Sequence, residues 1–470
     1  MKENVPLHRP RIAAAALIVA LGGPAISEAA PGVVKLTDTQ LDPTALFFVS
    51  FDGLVNNASY QQSAILSHAG FQYAAWYTAN RSAVVARRKL PAGAWETVAL
   101  PHQLSTNDSH NSISLGISPT DGRLHIAMDT HDTTVFYVKS EAGLVSDPGN
   151  RTWVASRFGP VQRTLDGVDL GTITYPQFVV TPEQALQLSY RTGRSGAGTN
   201  ELAEYTGTWR TLGKWSAGTG NYTQHGATSS SRNMYLHGIQ YGPGGRLHAA
   251  FTWREDNAAV MCNAGGLANH DTGYVFSDDR GRTWRNNAGQ QVATTGTSSQ
   301  VSVSSPGLVV DPLNVDHALM NQESEAIDST GAIHVIISYV PGRFTQCVSN
   351  FETQRPQFAR AFHLTRSAQG TWTKFEIPVA LDAFGRSQIV LDAANNAFVV
   401  MPFGRIVSAS AASGWTDWTV QFDGSGLSAF GEVVVDRDRV ASDGVLSILY
   451  QRSSTGTTPS PIRVIDFQLQ

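Results

Sequence analysis

The sequence predicts an all-β protein, a seven-bladed β-propeller built as a single domain. Three observations carry this prediction. A turn followed by an apolar strand recurs seven times, a tryptophan stands just past a turn after six of those units, and 43 glycines accompany few helical patterns in 470 residues. Units of roughly 50 to 85 residues, each holding several short strands joined by turn residues, have the spacing of propeller blades.

The units are, in order, "HAGFQYAAWYT" (68–78), "DGRLHIAMDTH" (121–131), "PEQALQLSYRT" (182–192), "GGRLHAAFTWR" (244–254), "TGAIHVIISYV" (330–340), "NNAFVVMPFGR" (395–405) and "DGVLSILYQRS" (443–453). The recurring tryptophans are Trp95, Trp153, Trp209, Trp284, Trp372 and Trp415. One unit carries "SDDRGRTW" (277–284), an Asp-box pattern S-x-D-x-G-x-T-W, which reads as a hairpin turn held by its aspartate. Two further strand-like segments, "ALFFVSF" (45–51) and "PIRVIDFQLQ" (461–470), lie outside the units. One of them is expected to complete a blade begun at the other end of the chain.

Residues 1–29 read as a signal peptide: a basic head, the apolar run "IAAAALIVALGG", and small residues at Ser27 and Ala29. The run is about 12 residues long, against the roughly 20 that span a bilayer. The expected product is a secreted protein, extracellular or periplasmic, beginning near Ala30, with residues 30–470 as the propeller domain. A net charge of −4 argues against nucleic-acid binding, no other segment suits a membrane, and a monomer is expected.

The stretch "HNSISLGISPTDGRLHIAMDTH" (110–131) begins and ends with histidine. A turn between Thr120 and Asp121 pairs residues whose numbers sum to 241, which sets His110 opposite His131. Their Cβ atoms are then expected to lie about 4.5 to 5.5 Å apart. In the next hairpin Tyr175 is expected opposite Arg191, and in the one after that His237 and Arg254 lie on paired strands. The three hairpins thus offer His/His, Tyr/Arg and His/Arg along one rim. His125, His248 and His334 recur at a single repeat position and read as packing or hydrogen-bonding residues.

Only Asp129 and Glu255 are expected near this rim as carboxylates, which disfavours a glycosidase with two carboxyl groups across the scissile bond. No arginine triad with a Tyr/Glu pair speaks for a sialidase. Histidine, tyrosine and arginine suit β-elimination on a uronic acid. There a base takes the C5 proton, a cation neutralises the carboxylate and a donor protonates the leaving O4.

The hairpin "HNSISLGI…DGRLH", the Tyr and Arg sixteen residues apart, and the block from "LHG" through "NHDTGYVFSDDRGRTW" resemble the BNR-type seven-bladed propeller polysaccharide lyases. That group includes ulvan lyases and L-rhamnose-α-1,4-D-glucuronate lyases; the resemblance runs from about residue 50 to 375. It implies His110 and His131 as catalytic histidines, Tyr175 as proton donor or acceptor and Arg191 as carboxylate neutraliser. Asn111, His237, Trp253 and Arg254 are expected to bind substrate, an acidic polysaccharide containing rhamnose and glucuronate. The unsulfated linkage is favoured over ulvan; a rhamnosidase-type hydrolase and a glycan-binding propeller remain the rivals. Catalysis is expected to need no cofactor. Cys262 and Cys347 are expected to form a disulfide, with free thiols or zinc ligation alongside His270 as alternatives. Some ulvan lyases hold a structural zinc near this block, but Thr272 stands where a cysteine is expected, which leaves a structural metal open. The sequons at Asn57 and Asn150 are candidate glycosylation sites in a eukaryotic host.

Overall fold

The computed structural model describes residues 30–60, 63–263, 267–344, 346–347 and 351–470, with the backbone alone at 351 and 352. The signal-peptide segment lies outside the described residues. Strands dominate; the α-helices among the described residues are Phe351–Phe358 and Arg437–Asp443. The strands form seven antiparallel sheets in chain order. The seven repeat units supply their second strands: Phe71–Tyr77, Arg123–Met128, Leu186–Arg194, Leu247–Glu255, Ile333–Tyr339, Ala397–Val400 and Val445–Gln451. These strands are buried along most of their length, because each is flanked in its own sheet and covered on both faces.

The core lies between sheets. Seven apolar clusters each join one sheet to the next. Phe71 and Tyr73 pack with Leu115 and Ile126, and Tyr137 with Leu188 and Trp209. Leu202 meets Trp284, and Tyr274 meets Ile333 and Val335. Ile336 meets Val399, and Phe398 meets Leu446. The last cluster sets Trp76 and Ala74 against Leu449 and Val464, so the first sheet packs on the last. First strands also meet their neighbours directly: Leu115 N–H donates to Ser63 O across the first two sheets. Arg437 reaches Ser324 and Gln388 across three more. Close approach has a requirement at Gly116, where a Cβ would stand 2.4 Å from Phe178 of the following sheet.

Four of the six recurring tryptophans tie their sheet backward, while Trp284 and Trp415 bond within their own units. Trp153 Nε1–H donates to Val85 O, Trp209 to Tyr137 Oη and Trp372 to Asn287 Oδ1, each on the preceding sheet or its loops. Trp95 Nε1–H donates to Thr39 Oγ1 on the N-terminal strand. The recurring histidines repeat one bond: His125 Nδ1 meets Tyr137 Oη at 2.6 Å, His248 Nδ1 meets Tyr274 Oη at 2.8 Å, and His334 Nδ1 meets His363 Nε2 at 2.9 Å. In all three the partner lies two residues before the histidine's opposite number on the third strand. This is the packing role their repetition implies.

Two expectations need adjusting, and a third, the disulfide, holds. The strand that joins the two chain ends is Val33–Ala45, paired with Ser460–Leu469; the apolar stretch 45–51 runs mostly as a loop over the cavity described below. Half of Val33–Ala45 faces solvent on the sheet edge, so it lacks the apolar run that marks the other strands. Asn57 is buried, with its Nδ2 donating to Phe430 O and Glu432 O, and is closed to glycosylation in the folded chain, whereas Asn150 is exposed. Cys262 and Cys347 form a disulfide.

The Asp box is architecture. Asp279 accepts from Arg282 N, Thr283 N, Thr283 Oγ1 and Ser277 Oγ, and the following Trp284 stacks on Trp215 at 4.1 Å. Asp279→Ala removes these acceptors at a distance from the cavity, so chemical denaturation is expected to show a loss of about 1 to 2 kcal/mol, with the activity of the folded fraction unchanged.

Candidate active site

One end of the seven first strands opens into a cavity of about 380 Å³. Its walls are built where those strands begin: Tyr60, His110, Tyr175, Tyr235, Gln322 and Arg386 come from six successive sheets. Phe51, Asp52, His131, Asp132, Ser195, Arg254 and Met320 complete most of the rest.

The two histidines meet. The hairpin pairs Ser114 with Ala127 and Gly116 with His125, a register summing to 241. The ladder ends before residues 110 and 131, yet their rings stack with centroids 4.4 Å apart. Asp108 explains this. Its Oδ1 lies 2.6 Å from His110 Nδ1 and its Oδ2 2.7 Å from His131 Nδ1, while His110 N–H donates to Oδ1. An ionised carboxylate only accepts, so both imidazoles carry a proton on Nδ1, and a neutral ring so held has its lone pair on Nε2. Burial works to raise the Asp108 carboxyl, but the bonds from the two histidines hold it well below the usual carboxylate range. Burial pulls the His110 imidazole down to about 4, against the opposing pull of Asp108. His110 is therefore neutral at pH 7. Tyr60 stacks on it at 4.7 Å, and Phe51 meets its edge at 4.6 Å.

Tyr175 and Arg191 also meet, but not as direct partners. Ser189 pairs with Gln177 whereas Arg191 pairs with Thr174, so a bulge absorbs Tyr175 and Pro176. Tyr175 there has φ 55°, and its ring comes within 5.2 Å of the Arg191 guanidinium. The bulge re-aims the phenol into the cavity. Burial raises its hydroxyl well above the ordinary tyrosine value, so it is a proton carrier at neutral pH. Arg191 lies behind this ring, buried, donating to Asp132 Oδ1 at 2.5 Å, Thr174 Oγ1 and Tyr235 Oη.

The remaining expected residues divide. Arg254 lines the cavity, and its guanidinium makes no ion pair or hydrogen bond with the described residues. His237 does not join it: the strand pairs Arg254 with Asn233, and His237, four residues on, is buried and accepts at Nδ1 from Glu323 N–H. Trp253 points the other way from Arg254, into the core, as alternation along a strand requires. Asn111 is buried beneath the histidine loop, with Nδ2 donating to Thr106 Oγ1 and its carbonyl accepting from Tyr77 Oη–H. Asp129 and Glu255 are not at the rim: Asp129 bonds His102 and Ser105, and Glu255 bonds Arg232 and His270. The carboxylates of the site are Asp52, which lines the cavity beside Phe51; Asp108, two residues before His110 in the sequence; and Asp132, directly after His131. The proximity of the last two to the histidines is the signal that strand spacing alone passes over.

Tyr60 and Arg386 carry no mark in the sequence either. Arg386 lies over the Tyr60 ring at 4.6 Å and donates to Glu432 Oε1, while Glu432 Oε2 accepts from Ser59 N–H. Burial raises the Tyr60 hydroxyl to about 12. Six of the sixteen lining residues, Phe51, Asp52, Tyr60, Asp132, Tyr175 and Gln322, have positive φ, out of 21 non-glycine residues with that conformation among those described. Backbone strain is concentrated here, as it is at functional sites. A second cavity of about 360 Å³ lies further along the same strands, between Leu115, Phe178, Tyr241 and Arg437. It lacks the histidine cluster.

Among the described residues, metal-ligating atoms converge in two places: Asp108 with His110 and His131, and His225 with Asp316 and the two cysteines. The first carboxylate is committed to both Nδ1 atoms. In the second the sulfurs are joined to each other. His270 does not fit the zinc set considered above, since its nitrogens bond Glu255 and Asp271.

Residues 71–379 match the BNR repeat-containing family. The chain is 22% identical over 460 residues to an ulvan lyase, long isoform, of Pseudoalteromonas sp. (strain PLSV), covering 88% of this chain and 43% of the relative. It is 22% identical over 461 residues to an ulvan lyase, long isoform, of Alteromonas sp. (strain LOR), covering 88% and 44%. The chain thus spans less than half the length of these curated relatives. Among solved structures it shares its fold with the polysaccharide lyase Uly1, at a TM-score of 0.68 and 17% identity over 93% of this chain and 100% of that one. It also resembles a PL25 ulvan lyase bound to -[GlcA(1-4)Rha3S]-, at a TM-score of 0.59 and 11% identity over 91% and 95%.

The tautomer and charge of the pair are measurable. In ¹⁵N-resolved NMR, both rings are expected to carry the proton on Nδ1, with His110 titrating near pH 4. A folded value below about 6.5 means that His110 supports the fold fully above that pH and that this support is lost as pH falls towards 4. Titration of His110 near 6.5 would contradict its burial against Asp108.

Proposed function

Because the chain belongs to the BNR repeat-containing family, we propose that it is a seven-bladed β-propeller polysaccharide lyase, secreted, cleaving the L-rhamnose-α-1,4-D-glucuronate linkage by β-elimination. Seven sheets in chain order, the packing of the first on the last and the pairing of the two chain ends support the blade count. The observation that carries the chemistry is the Asp108 carboxylate holding two stacked imidazoles by their Nδ1 atoms, beside a protonated phenol and an arginine that has no counter-ion among the described residues.

The uronate carboxylate sits on the arginine side. Arg254 has no counter-ion among the described residues, and the Asp132 partner of Arg191 is 40% exposed and able to yield. Neutralising that carboxylate acidifies C5–H and stabilises the enolate-like intermediate. An imidazole Nε2 of the stacked pair accepts the C5 proton. The C4–O4 bond of the uronate then breaks, the C4=C5 double bond forms, and the Tyr175 hydroxyl donates its proton to the departing oxygen, which leaves with rhamnose as its anomeric hydroxyl. No water enters the product, unlike hydrolysis. Each proton transfer is worth on the order of 10² to 10⁴ in rate.

A second reading, action on sulfated rhamnose-glucuronate polymer, is favoured by the ulvan lyases to which the chain is similar. A two-carboxylate hydrolase has less support, since Asp108 is held ionised by its two histidines and is a poor proton donor.

Incubation with gum arabic and with ulvan distinguishes these. Ultraviolet absorbance from a 4,5-unsaturated uronate is expected with one of them, and free rhamnose alongside it marks cleavage at a chain end. Rhamnose without absorbance would mean hydrolysis; neither product would leave a binding propeller. Asp108→Asn, which sets an amide N–H against one of the Nδ1 protons, is expected to cut kcat by about 10² to 10⁴ while the unfolding midpoint stays close to wild type.

A further inference from the structure

Among the described residues Phe51 is the most exposed of the large apolar side chains, at 67%, and alone among the exposed ones it lines the cavity. It occupies a place that phenylalanine avoids. Ser50 and Gly53 exchange both backbone hydrogen bonds around a two-residue turn in which Phe51 has φ 49° and Asp52 has φ 59°. Such turns favour asparagine and glycine, and a bulky residue there is strained. The strained turn is latched to the histidine loop. Ser109 N–H donates to Ser50 Oγ and Ser109 Oγ–H donates to Ser50 O, both at 2.7 Å.

The ring therefore gains little for folding. It is solvent-facing, it sits on a disfavoured backbone, and its one ring contact among the described residues is the edge of His110. What it gains is position. Along the rim the order runs from Phe51 through His110 and His131 to Tyr175, and then to Arg191, Tyr235 and Arg254. Arg191 and Arg254 lie on the Tyr175 and Tyr235 side of the proton-transfer groups; the phenyl stands on the other side beside Asp52, where the third cation, Arg386 over the Tyr60 ring, is already engaged by Glu432 and Asn321. A sugar acid seated towards the arginines, with its C4–O4 bond at the histidine–tyrosine cluster, directs the sugar attached through O4 towards Phe51.

We propose that Phe51 is the platform for that second sugar, taking the apolar C–H face and C6 methyl of a 6-deoxyhexose such as rhamnose, and so sets specificity on the leaving-group side. This rests on the lyase reading above. A deoxyhexose is the fitting occupant because it is uncharged and carries a methyl where other hexoses carry a hydroxyl.

Steady-state kinetics on a rhamnosyl-glucuronate oligosaccharide, followed by ultraviolet absorbance, tests it with three variants. Phe51→Ala is expected to raise KM about ten-fold, the loss of one buried aromatic contact, with kcat and its acid limb little changed. Phe51→Trp keeps KM near wild type. Phe51→Gly raises KM as alanine does yet holds or raises the unfolding midpoint, because glycine relieves the positive φ. Unchanged KM in Phe51→Ala, or a lowered midpoint in Phe51→Gly, overturns the proposal. A shifted acid limb would overturn it too, assigning the ring to shielding His110 instead. Saturation-transfer NMR with L-rhamnose alone needs no turnover: transfer to the methyl in wild type, lost in Phe51→Ala, is expected. Were that result obtained without any unsaturated product, the lyase reading would fall and the platform would stand.

Discussion

A single carboxylate organises the site. Two imidazoles packed face to face cannot both be protonated without repulsion, and left alone each would choose its own tautomer. Asp108 fixes the tautomer by accepting one Nδ1 proton on each oxygen, while burial holds His110 neutral against the pull of the carboxylate. Charge-assisted bonds of this kind are roughly twice as strong as neutral ones, and this carboxylate has backbone help from His110 N–H as well. The consequence is directional: with Nδ1 engaged, only Nε2 of each ring remains to meet a substrate. Tyr60 behind His110 and Arg386 behind Tyr60 extend this constraint across to the far side of the ring of sheets.

The fold supplies the rigidity that such an arrangement needs. Each sheet is held by apolar contacts to both neighbours, so the beginnings of the first strands are fixed in relation to one another without any being long or regular there. Side chains are then delivered into the cavity by departures from regularity. The bulge at Tyr175, the turn at Phe51 and Asp52, and the left-handed residues Tyr60, Asp132 and Gln322 all point groups where a continuous strand would not. Strain is tolerated at these positions because the surrounding sheets over-determine them.

The repeats were legible because their cause is periodic. A buried second strand needs an apolar run after a turn in every sheet, and the recurring tryptophans and histidines answer to the same repeated neighbours. The register of the 110–131 hairpin was legible too, since a tight turn fixes which residues oppose one another. What a repeat cannot report is its exceptions. Counting across the Tyr175 hairpin assumes an unbroken ladder and misses the extra residue that turns the phenol inward. Trp253 and Arg254 are neighbours in sequence and so face opposite ways, which no shared role survives. His237 is on the strand expected but too far along it to reach Arg254. Asp108 lies outside the hairpin altogether, in the loop before it, and its importance comes from two bonds formed only after folding. The solvent-facing edge strand Val33–Ala45 was hidden for the opposite reason: it has little apolar content to betray it.

The central claim is that Asp108 aims two basic nitrogens at one sugar acid held by arginine. Its most direct measurement is a crystal structure of Tyr175→Phe with a rhamnosyl-glucuronate oligosaccharide bound. The account predicts the uronate carboxylate on Arg254 or Arg191 and its C5 about 3 to 3.5 Å from Nε2 of His110 or His131, with both Nδ1 atoms still on Asp108. A sugar lodged in the second cavity, or a carboxylate turned away from both arginines with C5 out of reach of either imidazole, would contradict it.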